Sequence, residues 1–101
     1  MAYQVAVEFL LAVKAANIRD PKFRDEAMRS AKSACLNTAE GAGRITRPDK
    51  ARAFAIARGE AVEAVAAVEI CALVGDVEES AAARCVAIAK HLVALLTALA
   101  R

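Results

Sequence analysis

Three short breaks divide an alanine-rich chain into four segments of helical length, and this division limits the fold more than any other feature. Alanine provides 27 of the 101 residues and has the highest helix propensity. Asp20-Pro21, Thr46-Arg47-Pro48-Asp49 and Asp76-Val77-Glu78-Glu79 match helix starts, whereas Gly41-Ala42-Gly43 and Gly75 match helix ends. The sequence therefore predicts helices at about 2–17, 21–40, 47–74 and 77–100.

Short connections between these helices predict an all-α, up-down-up-down antiparallel four-helix bundle in a single domain, 1–101. The third helix has a polar stripe, Asp49, Arg52, Glu60 and Glu63, with an apolar flank on each side of it. A surface helix needs only one such flank for its own core, so we predict a homo-oligomer that buries the second. Burial of both flanks within one bundle is the alternative. The first flank is Phe54, Val65, Val68 and Ala72; the second is Ala55, Val62, Ala66 and Leu73.

The chain has few residues that could form a metal, cofactor or catalytic site. Cys35, Cys71 and Cys85 lie among aliphatic residues without a Cys-x-x-Cys pair, which favours buried thiols, and the single His91 has no partner for a metal or nucleophile site. We therefore expect a protein that is not an enzyme and needs no cofactor or metal. Apolar runs as short as Phe9–Val13 predict no membrane span, and the first residues predict no export signal, so a cytoplasmic location is expected.

Charge is distributed unevenly along the chain. Residues 19–58 hold ten basic and five acidic residues, whereas residues 59–83 hold six acidic and no basic ones. The densest basic cluster surrounds the start of the third helix, where backbone N–H groups could also receive phosphate. Solvated surface charge is the simpler interpretation; binding of a nucleic-acid backbone is the functional one. The candidate residues are Arg44, Arg47, Lys50 and Arg52.

Aromatic residues are scarce, and each fits a core position. Because none is placed as a platform on which bases stack, we expect no sequence-specific recognition of nucleic acid. The four are Tyr3, Phe9, Phe23 and Phe54.

A row of polar residues runs along one face of the second helix at steps of four and three. It faces either water or a neighbouring helix, and in the second case its members must be hydrogen-bonded and would fix the register of the two helices. The row is Glu26, Ser30, Ser33, Asn37 and Glu40, extended by Arg44.

The second half of this row resembles the signature of a known family. Asn37-Thr38-Ala39-Glu40-Gly41-Ala42-Gly43-Arg44 matches Asn-x-Ala-Glu-Gly-x-Gly-Arg in the small four-helix bundle proteins first noticed as products of intervening sequences in bacterial 23S ribosomal RNA genes. The segment Ile56–Glu63 is similar to the Ile-Ala-x-Gly-Ser-x-x-Glu run of that family, with Glu60 in place of the serine. Ala34-Cys35-Leu36 replaces Ile-Pro-Ser, so the kink that proline would cause is not expected.

The resemblance implies a homopentamer around a central channel and no established enzymatic activity. One related branch, the accessory variability determinant of diversity-generating retroelements, binds nucleic acid and a reverse transcriptase. The resemblance also marks a set of motif residues with a structural role: Ser33, Asn37, Glu40, Gly41, Gly43, Arg44, Gly59 and Glu63.

Two kinds of function remain in competition. The first is a non-enzymatic pentamer that binds RNA or DNA backbone through the basic cluster. The second is a scaffold or protein-interaction module that uses an apolar or acidic surface, such as Glu60, Glu63 and Glu69, and binds no nucleic acid. An enzyme would have to use Glu26, Asn37 and Glu40, which are better suited to holding helix register.

Overall fold

The chain folds into four α-helices with no strand, as a computed structural model of all residues from Met1 to Arg101 describes it. The predicted all-α, four-helix class is confirmed. The longest helix has 27 residues, about 40 Å at 1.5 Å per residue, and the whole molecule measures 44 × 22 × 17 Å. The helices are α1 (Ala2–Ala15), α2 (Pro21–Gly43), α3 (Arg47–Leu73) and α4 (Glu79–Leu99).

Two of the predicted helix starts and one of the predicted ends are made by the residues expected to make them. The Asp20 carboxylate accepts hydrogen bonds from the backbone N–H groups of Lys22 (2.9 Å) and Phe23 (3.2 Å), with Pro21 in the first turn. The Thr46 hydroxyl accepts one from the N–H of Asp49 (3.3 Å). Gly75 has a φ of 80°, a left-handed conformation that costs glycine little.

The prediction that Gly41 ends α2 is wrong, because the helix continues through Gly43. Gly41 is buried and remains helical, and the carbonyls of Gly41 and Ala42 accept hydrogen bonds from Lys50 Nζ at 3.4 and 3.1 Å. A cation at the carboxyl end of a helix also complements its dipole. The helix therefore ends where Lys50 can satisfy its last carbonyls.

The predicted start of α4 at Val77 is also wrong, because Asp76 does not cap that helix. Its Oδ2 atom accepts hydrogen bonds from the N–H groups of Arg19 (3.1 Å) and Asp20 (2.9 Å), in the loop between α1 and α2. The α3–α4 loop is thereby joined to the α1–α2 loop, and α4 begins two residues later than predicted, at Glu79.

The core combines small residues from α2 with larger ones from the other helices. Ala27, Ala31 and Ala34 are fully buried, which allows the backbones of α2 and α3 to approach closely. Phe9 of α1 and Leu92 of α4 fill the space between the helices. α1 packs against α2 and α4 but barely contacts α3, so α1 and α3 occupy diagonal positions in the molecule.

The second flank of α3 is not buried within the bundle, which contradicts the alternative that one bundle covers both flanks. Val62 is 43% exposed and Leu73 86% exposed, whereas Phe54 and Val68 of the first flank are buried. Gly59 and Ile70 lie on the same side at helical spacing. We call this surface the α3 flank: Ala55, Gly59, Val62, Ala66, Ile70 and Leu73.

α4 modifies the expectation that no segment could span a membrane. By length and composition alone, Glu79–Leu99 is long and apolar enough to do so. A single such helix is weak evidence for a membrane span, and 28% of its apolar window is buried inside the chain. The buried residues of α4 are Ala82, Cys85, Ala89, Leu92 and Leu96.

Candidate functional site

The polar row on α2 divides into a part that contacts α3 and a part that stays within α2. Ser30 is fully buried, and its hydroxyl donates a 2.6 Å hydrogen bond to Glu63 Oε2 on α3. Arg29 Nη2 lies 2.6 Å from Glu26 Oε1 and 3.3 Å from Glu63 Oε2, which links both carboxylates to the same cation. This end of the row therefore has the hydrogen bonds to a neighbouring helix that the second interpretation requires.

The remaining members of the row bond within their own helix. Asn37 Nδ2 donates to the carbonyl (2.9 Å) and the hydroxyl (3.1 Å) of Ser33, and both residues are only half-buried. Arg44 Nη2 donates to Glu40 Oε1 at 2.7 Å, one turn away and in contact with water. These residues do not connect α2 with α3.

Glu63 is the carboxylate whose acidity these contacts change. The hydrogen bond from Ser30 lowers its pKa, and the positive charge of Arg29 acts in the same direction. A lowered pKa in the folded protein stabilises it above the pKa of the unfolded chain, about 4.3, and this stabilisation is lost as the pH falls through the folded-state value.

Ser30→Ala tests this coupling. Without the hydroxyl, the pKa of Glu63 should move upward toward its ordinary value, while the helices remain formed because alanine fits the buried site. A carbon-detected NMR titration of the Glu63 carboxyl measures the shift, and Ser33→Ala, which removes a hydroxyl that does not reach Glu63, is the matched control. An unchanged Glu63 titration in Ser30→Ala would contradict the coupling.

The two glycines of the motif have different surroundings. A Cβ added to Gly41 would lie 2.7 Å from Cε1 of Phe54, so the absence of a side chain lets the buried ring pack directly on the α2 backbone. A Cβ at Gly43 would meet no atom within 4 Å. Of the two, only Gly41 is required by packing within the chain.

The predicted basic cluster lies at the junction of α2 and α3, but two of its four members already bond other groups of the chain. Lys50 bonds the last carbonyls of α2, and Arg44 is paired with Glu40. Arg47 and Arg52 are exposed and form no ion pair. A cavity of about 290 Å³ lies beside this junction, and its lining is Glu40, Arg44, Asp49, Arg52, Ala53 and Ile56.

The start of α3 offers fewer free backbone donors than the sequence suggested. Pro48 has no N–H group, and the N–H of Asp49 is bonded to the Thr46 side chain. Of the first three helical residues, this leaves the N–H of Arg47, so side-chain charge must provide most of any interaction with phosphate.

A comparison with protein families assigns the chain to one of them. The family model described as 23S rRNA-intervening sequence protein matches residues 1–98. The chain belongs to this family. This match spans nearly the whole chain and includes the motif residues around Gly41 and Gly59. A search of curated proteins found no significant match.

The three cysteines of the chain are buried and unpaired, as predicted. Burial raises the pKa of the thiols of Cys35, Cys71 and Cys85, which keeps them protonated near neutral pH. No group of three or more His, Cys, Asp and Glu side chains has an arrangement that could hold a metal ion. His91 is exposed on α4.

Two residues with clear roles were missed by sequence reasoning, and a third was assigned to the wrong environment. Arg29 joins Glu26 to Glu63, and its position three residues after Glu26 was the available signal. Asp76 links two loops that are distant in sequence, so no local pattern indicated it. Tyr3 was predicted to be in the core but is 49% exposed, because it lies on the outer side of α1 with Leu11.

Proposed function

We propose that this chain is a non-enzymatic, cytoplasmic homopentamer that binds the phosphate backbone of RNA or DNA without reading its sequence. Arg47 and Arg52, exposed and in no ion pair at the first turns of α3, carry the proposal. Arg44 lines the same cavity as Arg52, and Lys50 holds the end of α2 in place. Repetition of this cluster around a ring would present several cations to one strand.

The proposed protomer is an up-down-up-down antiparallel bundle. Along α2, Ser30 contacts Glu63, whereas Gly41 lies against Phe54, so later residues of α2 meet earlier residues of α3. The bonds from Asp76 to the α1–α2 loop support the same arrangement, because they bring the first and third connections to one end.

The proposed oligomer rests on the exposed α3 flank. Val62, Ile70 and Leu73 are exposed along one side of α3, and an apolar surface of this kind is typical of a contact with another protein. A pentamer would have a mass of about 53 kDa from copies of 10.6 kDa, which light scattering after size exclusion measures directly. A mass of one copy at micromolar concentration would contradict the oligomer.

Salt-dependent binding tests the nucleic-acid proposal. Arg47→Gln with Arg52→Gln should weaken binding of a fluorescent single-stranded RNA. It should also reduce the slope of log affinity against log salt by about 1.4 for each copy that contacts the strand, since each lost phosphate contact contributes about 0.7. Fluorescence anisotropy between about 50 and 200 mM salt, the range over which such contacts weaken strongly, measures both effects.

Lys22→Gln with Arg24→Gln is the matched control, because it removes the same charge from exposed positions at the start of α2. Equal losses in the two double variants would indicate general charge attraction and contradict the assigned site. Absence of binding by the wild-type protein at low salt, together with co-purification of a protein, would favour the scaffold function.

A further inference from the structure

We propose that the outer side of α1 in one copy packs lengthwise, and in parallel, on the α3 flank of the next copy. This contact rests on the proposed homo-oligomer and specifies which surfaces meet in it. The α1 residues are Tyr3, Val7 and Leu11, spaced four residues apart, and we call them the α1 ridge.

The α1 ridge is an apolar surface that the protomer leaves largely uncovered. Leu11 is 59% exposed, Tyr3 is also exposed, and Val7 is half-buried between them. The opposite side of α1 is already occupied, because Phe9 and Val13 are buried against the other helices. The ridge therefore gains by packing against a second apolar surface outside its own bundle.

The α3 flank has a shape that suits a ridge of large side chains. Gly59 lies in the middle of α3, where glycine is less favourable than alanine, and a Cβ at this position would meet no atom within 4 Å. Nothing inside the protomer requires glycine here. With Ala55 and Ala66 on either side, Gly59 forms a shallow region that lets another helix approach closely.

Charge favours the parallel direction of the two helices. If Tyr3 lies over Gly59, a parallel arrangement brings Lys14 beside the end of the flank near Glu69, and both residues are exposed without an ion pair. An antiparallel arrangement would instead bring Lys14 to the start of α3, which carries Arg47 and Arg52. The parallel arrangement brings opposite charges together, whereas the antiparallel one brings like charges together.

The positions of the two surfaces make the contact repeat from copy to copy. α1 and α3 are diagonal in the protomer, so each copy presents its ridge to one neighbour and its flank to another. Such a heterologous contact forms a closed ring when its rotation closes. Parallel helices are compatible with a rotation axis that runs along the bundles.

Two variants that each damage one half of the contact provide the test. Leu11→Glu places a charge on the ridge, and Gly59→Leu fills the shallow region of the flank; neither position is packed inside the protomer. Light scattering should give about 53 kDa for the wild-type protein and 10.6 kDa for each variant alone. An equimolar mixture should give about 21 kDa, because one intact ridge and one intact flank remain to form a dimer.

The controls are Gly43→Leu and Leu36→Glu, which make the same changes at open or exposed sites outside both surfaces and should keep the wild-type mass. Circular dichroism checks that every variant stays helical. Variants that remain oligomeric, or a mixture that remains monomeric, would overturn the contact alone. A monomeric wild-type protein would overturn the proposed oligomer together with it.

A charge exchange on the protein surface tests the register by a second route. Lys14→Glu and Glu69→Lys should each reduce the fraction of protein in the oligomer, and the combined variant should restore it. Since α1 and α3 barely contact each other within one copy, restoration cannot arise inside the protomer. Failure to restore would overturn the parallel register.

Discussion

Gly41→Leu is expected to destabilise the protein by about 3 kcal/mol, although leucine is a much better helix former than glycine. A Cβ alone would lie 2.7 to 2.9 Å from three atoms of the Phe54 ring, which is buried and has little room to move. The overlap is relieved either by displacing the buried ring or by moving α2 away from α3, and these two helices share the most extensive contact in the molecule. Urea denaturation followed by circular dichroism measures the loss.

Gly43→Leu is the matched control for this prediction, two residues along the same helix. Its Cβ meets no atom within 4 Å, so its stability should stay within about 0.5 kcal/mol of the wild-type value. Combining Gly41→Leu with Phe54→Ala should recover part of the loss, because the second change makes space for the first. Equal destabilisation by the two leucine variants would show that the contact with Phe54 is not the cause.

Phe9→Ala is expected to have an effect of similar or greater size, about 3–5 kcal/mol. The Phe9 side chain is fully buried, and its removal leaves a cavity between α1 and the helices that pack against it. A domain of this length has a total stability of about 5–15 kcal/mol, so the variant should lose much of its resistance to urea. The midpoint of unfolding provides the measurement.

Leu36→Ala removes an apolar side chain from a position that is 72% exposed and serves as the comparison. Its midpoint should change little, because the leucine side chain is already in water. A Phe9→Ala midpoint close to that of Leu36→Ala would mean that α1 is not held by the core in solution.

The number of helices and two of their starts were predictable because local chemistry decides them. Asp20 and Thr46 bond backbone groups two or three residues away, and Gly75 adopts a conformation that depends on its own missing side chain. The buried state of the cysteines followed in the same way from aliphatic neighbours at helical spacing. These features need no knowledge of distant residues.

The errors arose where a distant residue decides the outcome. Gly41-Ala42-Gly43 favours a helix end by local rules, but Phe54 packs on Gly41 and Lys50 satisfies the last carbonyls, so α2 continues through the motif. Asp76 follows a capping pattern, yet its carboxylate bonds the loop before α2. In the candidate site, the sequence placed four basic residues in one cluster. The structure pairs Arg44 with Glu40 and bonds Lys50 to the end of α2, whereas Arg47 and Arg52 form no ion pair.

The sequence by itself determined that this chain forms four helices with an apolar surplus on α3, because propensity, caps and periodicity act over a few residues. Only the tertiary structure decided which surfaces remain open. It buries Ser30 against Glu63 and bonds Lys50 to the carbonyls at the end of α2. It leaves Arg47, Arg52 and most of the α3 flank exposed. Exposure depends on which helices lie side by side, and their packing is fixed by contacts between residues far apart in the chain.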